Sequence, residues 1–290
     1  MKKRLEYALI RFLVAIVQIL PLSWGQRIGA GIGNVLYRWI GIRREVVKQN
    51  LHRCFSSENR GEIDRIAKEC YTFYGRAAVD WVRAGDMLDS VECRVKGWDN
   101  LEPFLETGAV ITTGHLGYWE QAAIILAQRL GSMTVYADEQ SNPYSQQMID
   151  RFRSRFDVHT VSGTRGIRYL AKQVKEGHIV GAVGDQRPRN KPAYVQFFDA
   201  RVKNTRIPAF LVRQAEVPLI PLVMVETDSG TVELKIDEPL PESRNQQSGE
   251  FSSSRLLRQY NAWLEQRIRE HPEQYFWLHK RSKPLRQSGD

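Results

Sequence analysis

The sequence predicts an α/β fold with a largely parallel central sheet flanked by helices. Short apolar segments, mostly rich in β-branched residues, alternate with segments whose apolar residues recur at helical spacing. Helices of this length between strands are typical of the crossover connections of a parallel sheet. A more apolar segment precedes this alternation, and we expect it to form an N-terminal membrane-associated helix.

Five short apolar segments are predicted to be strands, because turn-forming or polar residues bound each of them. They are Ala109–Thr113, Met133–Tyr136, Ile179–Val183, Leu219–Val225 and Val232–Ile236. A further strand-like piece begins at Val91–Val95.

Six segments are predicted to be helices from the spacing of their apolar residues. They are Ser57–Trp81, Tyr118–Leu130, Tyr144–Phe156, Ile167–Glu176, Pro208–Ala215 and Arg255–Glu270. Four of them lie between predicted strands, which supports the layered arrangement.

The N-terminal segment Leu5–Leu22 is apolar but is interrupted by Glu6, Arg11 and Gln18. A full membrane span needs about 20 mainly apolar residues. The basic start of the chain suits a signal peptide, but no small-residue cleavage site follows the apolar run. We therefore expect an uncleaved helix that lies in the membrane interface or spans it marginally, with its cationic residues toward the cytoplasm. A buried core helix is the alternative.

Glycine recurs at every fourth position in Gly25, Gly29 and Gly33. On a helix, this spacing forms a shallow groove that another helix can approach closely. The segment also touches on a dinucleotide-binding fingerprint, but no strand precedes it and its final glycine is misplaced. The glycines thus predict helix packing.

The composition excludes some classes of protein and favours anionic partners. Lys and Arg exceed Asp and Glu, which gives a net charge of +9. This charge suits phospholipid headgroups, phosphorylated glycolipids, an acidic carrier protein or nucleic acid, although no nucleic-acid-binding motif is present. The three cysteines are widely spaced, so neither a disulfide framework nor a zinc site is indicated.

The chemistry-bearing motif is the pair His115 and Glu120 after the predicted strand Ala109–Thr113. Gly114 permits a sharp turn that places His115 at the carboxyl edge of the sheet, where α/β folds bind ligands. The two residues meet only if His115 lies in the turn and Glu120 in the first turns of the following helix. A carboxylate on one imidazole nitrogen leaves the other nitrogen to act as a general base. A structural hydrogen bond is the alternative for such a pair.

Four segments together carry a resemblance to one family. Thr113–Glu120 resembles the His-x4-Asp/Glu motif of the bacterial lipid A biosynthesis acyltransferases, the lauroyl and myristoyl transferase family, which is related to glycerolipid acyltransferases. Three further blocks are similar to the family's, and all four occur in the family's order: Gln49–Phe55 precedes the motif, and Gly184–Thr205 and Pro272–Arg281 follow it. The chain departs from the family pattern at Ser56 and at Asp199–Ala200.

The resemblance implies direct transfer of a fatty acyl chain from a thioester, of acyl carrier protein or of acyl-CoA, to a hydroxyl of a glycolipid such as a lipid A precursor. We expect residues 41–290 to form the catalytic domain, after a membrane-associated segment of residues 1–40, at the cytoplasmic face of the bacterial inner membrane. His115 is the expected general base, and Glu120 is expected to orient it. No metal or cofactor is implied.

Other residues are candidates for substrate binding. Arg165, Arg168 or the backbone amides after Gly163 are candidate donors to the thioester oxygen as it gains charge. Asp185 is expected at the catalytic edge, to position the acceptor, pair with an arginine or cap a turn. Gln186 and Arg187 follow it in the same block. Nearby basic residues suit phosphates or an acidic carrier, or form a solvated loop. They are Arg187, Arg189, Lys191, Arg201, Lys203 and Arg206.

The competing functions differ in the acceptor or in the class of protein. A lysophospholipid or a phosphoinositol mannoside would use the same chemistry as a lipid A precursor. A non-catalytic lipid-binding membrane protein is the rival from another class. A serine hydrolase is disfavoured because no Gly-x-Ser-x-Gly elbow occurs.

Overall fold

A seven-stranded sheet lies at the centre of the computed structural model, which describes residues 2–188, 191–227, 230–244 and 251–281. The strands of the described residues are β1 Cys93–Lys96, β2 Ala109–Thr113, β3 Met133–Tyr136, β4 Val158–Val161, β5 Ile179–Val183, β6 Ala193–Phe197, β7 Ala200–Asn204, β8 Leu219–Glu226 and β9 Val232–Ile236. The sheet has the order β1-β9-β8-β2-β5-β3-β4, and β6 and β7 form a separate hairpin.

Pairing within the central sheet is parallel except between β8 and β9. The predicted α/β class with a largely parallel sheet is therefore confirmed. β2 lies between β5 and β8, so the strand that leads into the candidate site is central and is buried along its whole length.

Helices cover both faces of the sheet. The α-helices of the described residues are α1 Lys2–Ile19, α2 Leu22–Val35, α3 Arg44–Cys54, α4 Arg60–Val82, α5 Ala84–Ser90, α6 Trp119–Leu130, α7 Pro143–Ser154, α8 Gly163–Lys175, α9 Ile207–Ala215, α10 Pro241–Arg244 and α11 Ser253–Glu270. Short 3₁₀ segments occur at Trp98–Asn100, Glu102–Phe104 and Pro272–Gln274, and a π-helical turn at Leu36–Ile40 follows α2.

Alternate residues of the strands enter two hydrophobic clusters. Val110 and Val180 belong to the cluster that contains residues of α8, α9 and α11. Ile111 and Ile179 belong to the other cluster, which contains residues of α6. This alternation follows from the two-residue period of a strand.

The predicted glycine groove is confirmed, because α2 packs along α4 through it. A Cβ atom on Gly29 would lie 2.3 Å from the carbonyl oxygen of Gly75, and one on Gly33 would lie 2.0 Å from that of Tyr71. These distances leave no room for a side chain, so glycine is required where the two backbones meet.

The N-terminal helices expose much of their apolar surface. Phe12 is 62% exposed and Ile19 is 83% exposed, so the buried core helix considered for this segment is not what forms. No helix within the described residues has both the length and the apolar composition that crossing a membrane requires.

Several elements were not predicted from the sequence: α3, α5, α10, β4 and the β6–β7 hairpin. β4 is only four residues long with one buried position, and β6 alternates exposed and buried residues. Ser56 and Asp199, where the chain departs from the family pattern, contact each other through their side-chain oxygens at 3.4 Å. Neither residue lines the cavity next to His115.

Candidate active site

His115 lies in the turn between β2 and α6, as the sequence predicted. Gly114 before it and Gly184 after β5 are both covered by α11: a Cβ on Gly114 would lie 2.7 Å from Leu264, and one on Gly184 would lie 2.6 Å from Tyr260. Because α6 begins only at Trp119, His115 precedes the helix that carries Glu120. The geometric condition set by the motif is thus met.

The partner of His115 is Asp185. The Nδ1 atom of His115 lies 2.6 Å from Oδ1 of Asp185, and the backbone N–H of His115 donates to Oδ2 at 3.0 Å. The strand register explains this pairing: Thr113 of β2 is opposite Val183 of β5, so the residues two positions further along both strands also meet. Asp185 is 4% exposed, so the carboxylate holds the His115 ring from the interior of the protein.

The position of the proton between Asp185 and Nδ1 of His115, the dyad of this site, follows from their contacts. Burial opposes ionisation of Asp185, but the His115 ring and the Arg281 guanidinium outweigh it and hold the pKa of this carboxyl well below its usual value. A carboxylate only accepts hydrogen bonds, so Nδ1 of His115 carries the proton. In the neutral ring Nε2 is then unprotonated, as a general base requires.

The C-terminal segment completes the buried side of the dyad. The hydroxyl of Tyr275 donates to Oδ2 of Asp185 at 3.0 Å, and Arg281 lies 3.4 Å from the same oxygen. Arg281 also donates to Asn261 at 2.5 Å. The interpretation of Asp185 as the partner of an arginine is confirmed, and the arginine is Arg281.

The C-terminal segment Pro272–Arg281, the tail, is held in place by the block Gln49–Phe55. The side-chain amide of Asn50 donates to the carbonyl oxygens of Trp277, at 2.7 Å, and His279, at 2.6 Å. The N–H of Phe276 donates to the carbonyl of His115 at 2.9 Å. Trp277 is 1% exposed, so the aromatic tail docks into the core and supports the turn that carries His115.

The expected pairing of Glu120 with His115 is wrong. The carboxylate of Glu120 accepts two hydrogen bonds from Arg153 of α7, at 2.6 and 3.0 Å. The physical reason is that the turn directs Nδ1 of His115 toward β5, whereas the first turn of α6 directs Glu120 toward α7. Both residues nevertheless line the same cavity.

This cavity has a volume of about 1470 Å³ and extends along one face of the sheet. Ile111 of β2, Gly181 of β5 and Val135 of β3 stand side by side in the strand register and form its middle. Met133 and Val158, which are paired at the start of β3 and β4, form its far end. Small residues of the covering helices keep this part open: Ala77, Ala78, Ala122 and Ala123.

Of the arginines expected to bind substrate, only some line the cavity. Arg168 lines the cavity together with Lys191 and Arg206, whereas Arg165 and Arg187 are exposed and are not among the lining residues. Within the described part of the chain, none of these three lining residues has a carboxylate within ion-pair distance, whereas Arg153, which also lines the cavity, pairs with Glu120. Arg189 lies outside the described residues.

Two residues from different blocks of the sequence, Gln186 and His279, lie next to the His115 ring. The side-chain nitrogen of Gln186 lies 2.9 Å from Nε2 of His115. The ring of His279 has its centroid 5.3 Å from that of His115. Burial and the His115 ring lower the pKa of His279 to about 4, so it is a neutral group of the cavity wall at physiological pH.

Sequence reasoning missed Arg153 as a site residue, because nothing in its helix distinguishes it from the other arginines. It also did not assign His279 to the site. The position of His279 in the fourth block was a usable signal, whereas the pairing of Arg153 with Glu120 depends on how α7 packs beside α6.

The fold and the site together define the class: an α/β protein with a histidine–carboxylate pair at the carboxyl edge of a parallel sheet, next to a deep and partly apolar cavity. Residues 2–284 match the family model of the bacterial lipid A biosynthesis acyltransferases. The chain belongs to this family, and it is an acyltransferase.

Curated relatives share the family at low identity. The chain is 23% identical over 270 residues to the lipid A biosynthesis palmitoleoyltransferase of Escherichia coli strain K12, which covers 88% of this chain and 84% of that protein. It matches a lipid A biosynthesis acyltransferase of Shigella flexneri to the same extent. Among solved structures, it is similar to the 1-acyl-sn-glycerophosphate acyltransferase PlsC of Thermotoga maritima, with a TM-score of 0.39, 19% identity and coverage of 86% of this chain and 97% of the other.

Proposed function

We propose that this acyltransferase moves a fatty acyl chain from a thioester to a hydroxyl of a glycolipid, with a lipid A precursor as the acceptor. The observation that carries the proposal is the orientation of His115: Asp185 holds Nδ1 at 2.6 Å, and the other side of the ring lines the cavity. An acceptor hydroxyl in the cavity therefore meets an unprotonated nitrogen.

The reaction follows from this arrangement. The acceptor oxygen attacks the thioester carbonyl carbon while Nε2 of His115 takes its proton. The Asp185 carboxylate stabilises the imidazolium that forms and keeps the ring oriented. When the tetrahedral intermediate collapses, the carbon–sulfur bond breaks and the thiolate takes the proton from Nε2. Glu120 and Arg153 neutralise each other on the opposite wall.

The apolar part of the cavity is the proposed site of the acyl chain. From the Thr113–Val183 row beside the catalytic turn to Met133, this part follows about four strand residues, or about 13 Å at 3.3 Å per residue. Its wall combines buried aliphatic side chains with Gly181 and the alanines of the covering helices. Burial of an alkyl chain here contributes about 0.8 kcal/mol for each methylene group.

The basic residues at the cavity support an anionic substrate. Arg168, Lys191 and Arg206 line the same cavity as His115, and cations of this kind bind phosphate groups well. A phosphorylated glycolipid acceptor carries such groups, and so do acyl carrier protein and CoA. This charge is consistent with either donor.

The N-terminal helices are the proposed contact with a lipid surface at the cytoplasmic face of the inner membrane. Eleven of the fifteen exposed large apolar side chains of the described residues lie between positions 12 and 42. The chain has no Asp or Glu between Glu6 and Glu45, but it has five arginines there. An apolar surface interspersed with cations suits the interface of an anionic bilayer.

The proposal is tested by offering the purified protein both acyl-carrier-protein and CoA thioesters of several chain lengths. The acceptors are a tetra-acylated lipid A precursor and a lysophospholipid, and mass spectrometry records the increase in mass of each acceptor. We expect the lipid A precursor to gain one acyl chain, and His115→Ala to abolish the gain while the protein stays folded. Acylation of the lysophospholipid alone would assign the other acceptor class, and undiminished transfer by His115→Ala would refute the mechanism.

A further inference from the structure

The side-chain amide of Gln186 occupies the position that the acceptor hydroxyl must take. Its nitrogen lies 2.9 Å from Nε2 of His115, the atom that accepts the hydroxyl proton in the proposed function. We propose that Gln186 is a catalytic residue: it leaves Nε2 when the acceptor binds, and it then donates an N–H to the oxyanion of the tetrahedral intermediate. The inference rests on the proposed acyl transfer.

The direction of this hydrogen bond follows from the dyad. Nδ1 of His115 carries the proton because its partner is a carboxylate, so Nε2 of the neutral ring is an acceptor. The group that faces Nε2 must therefore be the NH₂ of Gln186 and not its carbonyl oxygen. The resting site thus holds an amide donor against the catalytic base.

Three backbone amides of the turn that carries His115 are already engaged, those of His115, Gly117 and Tyr118. The N–H of His115 donates to Asp185 at 3.0 Å. Those of Gly117 and Tyr118 donate to the carbonyl oxygens of Gln274 and Met224, at 2.8 and 2.7 Å. In this turn they are held by the tail and by β8, so they are not aimed at a ligand. Arg153, a cation that also lines the cavity, is held by both oxygens of Glu120.

Displacement leaves Gln186 within reach of the new charge. The attacking oxygen and the oxyanion are bonded to the same carbon, so the oxyanion forms two bonds from the position that the amide vacates. Gln186 is partly exposed to the cavity, and rotation about its flexible side chain moves the NH₂ over this short distance. A hydrogen bond of about 2.9 Å to the oxyanion is then geometrically accessible.

The proton and electron balance does not change. The hydroxyl proton goes to Nε2 of His115, the new carbon–oxygen bond forms, and the carbonyl π electrons move to the oxygen. Gln186 donates a hydrogen bond to that oxygen without transferring its proton. Collapse expels the thiolate, which takes the proton from Nε2.

The test compares Gln186→Ala and Gln186→Asn with the parent protein, with Gln173→Ala as the control. Gln173 lies on α8, where it donates to Glu176 at 3.1 Å, and it does not line the cavity. The measurements are kcat and KM for acyl transfer, the dissociation constant of an acyl thioether that lacks the carbonyl oxygen, and the melting temperature. The thioether reports ground-state binding, because no oxyanion can form on it.

Loss of one oxyanion donor lowers kcat by about 10² to 10³. We expect this loss for Gln186→Ala, with KM, thioether affinity and melting temperature nearly unchanged, and partial recovery in Gln186→Asn. Gln173→Ala should match the parent. If Gln186→Ala keeps or raises kcat, the amide only caps the resting base and the inference is wrong, whereas the proposed function stands. A parallel loss of thioether binding or of folding would assign Gln186 a structural role instead, and a parent protein without any transfer would refute both proposals.

Discussion

His115 and Asp185 are 70 residues apart in the chain but only 2.6 Å apart between Nδ1 and Oδ1. Glu120, much nearer in sequence, binds Arg153. The dyad is a consequence of strand register, because β2 and β5 are adjacent and aligned with the same offset as the two residues. This arrangement assigns separate roles to the two carboxylates, and these roles can be measured.

The first prediction concerns those roles. Asp185→Asn removes the acceptor that fixes the tautomer of His115, and a change of this kind lowers kcat by about 10⁴ in a comparable triad. Glu120→Gln acts through Arg153, so it should lower kcat by the same factor as Arg153→Met. The variant that combines the two changes should show no larger decrease. Steady-state kinetics on the single and double variants provide the check. Non-additivity between Glu120→Gln and Asp185→Asn would instead join Glu120 to the dyad.

The second prediction concerns the contact between α2 and α4. Gly33→Ala places a Cβ about where the Tyr71 carbonyl oxygen lies, since the two would be 2.0 Å apart. Because both atoms belong to backbone, we expect a loss of about 1–3 kcal/mol in the free energy of unfolding. Gly31→Ala is the matched control: its Cβ meets nothing within 4 Å, and alanine should stabilise the helix by about 0.5–1 kcal/mol. Urea unfolding measures both, and equal effects would contradict the close packing.

The third prediction concerns the acyl chain and depends on the proposed function. A Cβ on Gly181 would lie 2.9 Å from the terminal methyl group of Met133 and 3.0 Å from Val135, so Gly181→Val narrows the middle of the apolar cavity. We expect this variant to prefer shorter acyl thioesters, and Met133→Ala to accept longer ones. Competition between thioesters of different length, with products read by mass, is the measurement. An unchanged preference for acyl length in both variants would show that the acyl chain does not bind in this part of the cavity.

The fourth prediction concerns pH and His279. Its pKa is lowered from 6.5 to about 4 in the folded protein, chiefly by burial and by the ring of His115. Between these two values the unfolded chain binds more protons, so stability is full above pH 6.5 and falls as pH drops toward 4. One pKa unit corresponds to about 1.4 kcal/mol, and with allowance for partial exposure we expect a loss of about 1–3 kcal/mol. His279→Gln should flatten the stability curve over this range; a curve parallel to that of the parent would contradict the shift.

The fifth prediction concerns the proposed lipid contact. Phe12 is 62% exposed and Trp39 is 83% exposed. Replacing both by serine removes apolar surface, and full burial of each such side chain contributes about 1.5–3 kcal/mol. The partition coefficient of the protein onto vesicles that contain phosphatidylglycerol, measured by flotation, should therefore fall at least about tenfold. Tyr194→Ser, at a residue that is 47% exposed outside the N-terminal helices, is the control. Equal flotation of the parent and the double variant would place the lipid contact elsewhere.

Local sequence patterns determined much of the architecture. The bounds predicted for β2, β3, β5 and β9 are those observed. β2 and β5 are continuous apolar runs, as buried strands of a parallel sheet are, whereas β9 alternates buried and half-buried residues. The glycine spacing predicted the α2–α4 contact for a similarly local reason, since residues four apart share one face of a helix. β4 and the β6–β7 hairpin have half-buried patterns without such a run, and their pairing supplies the stability that their composition does not.

The sequence by itself determined the fold class, the position of His115 in the turn after β2, and the family that the blocks resemble. Only the tertiary structure decided the partner of His115, because a histidine beside several carboxylates is paired by strand order and register and not by distance along the chain. It also decided that Arg281 of the tail lies behind Asp185 and that Gln186 faces Nε2. These contacts join segments separated by 70 or more residues, and packing of α11 and the tail against the sheet brings them together.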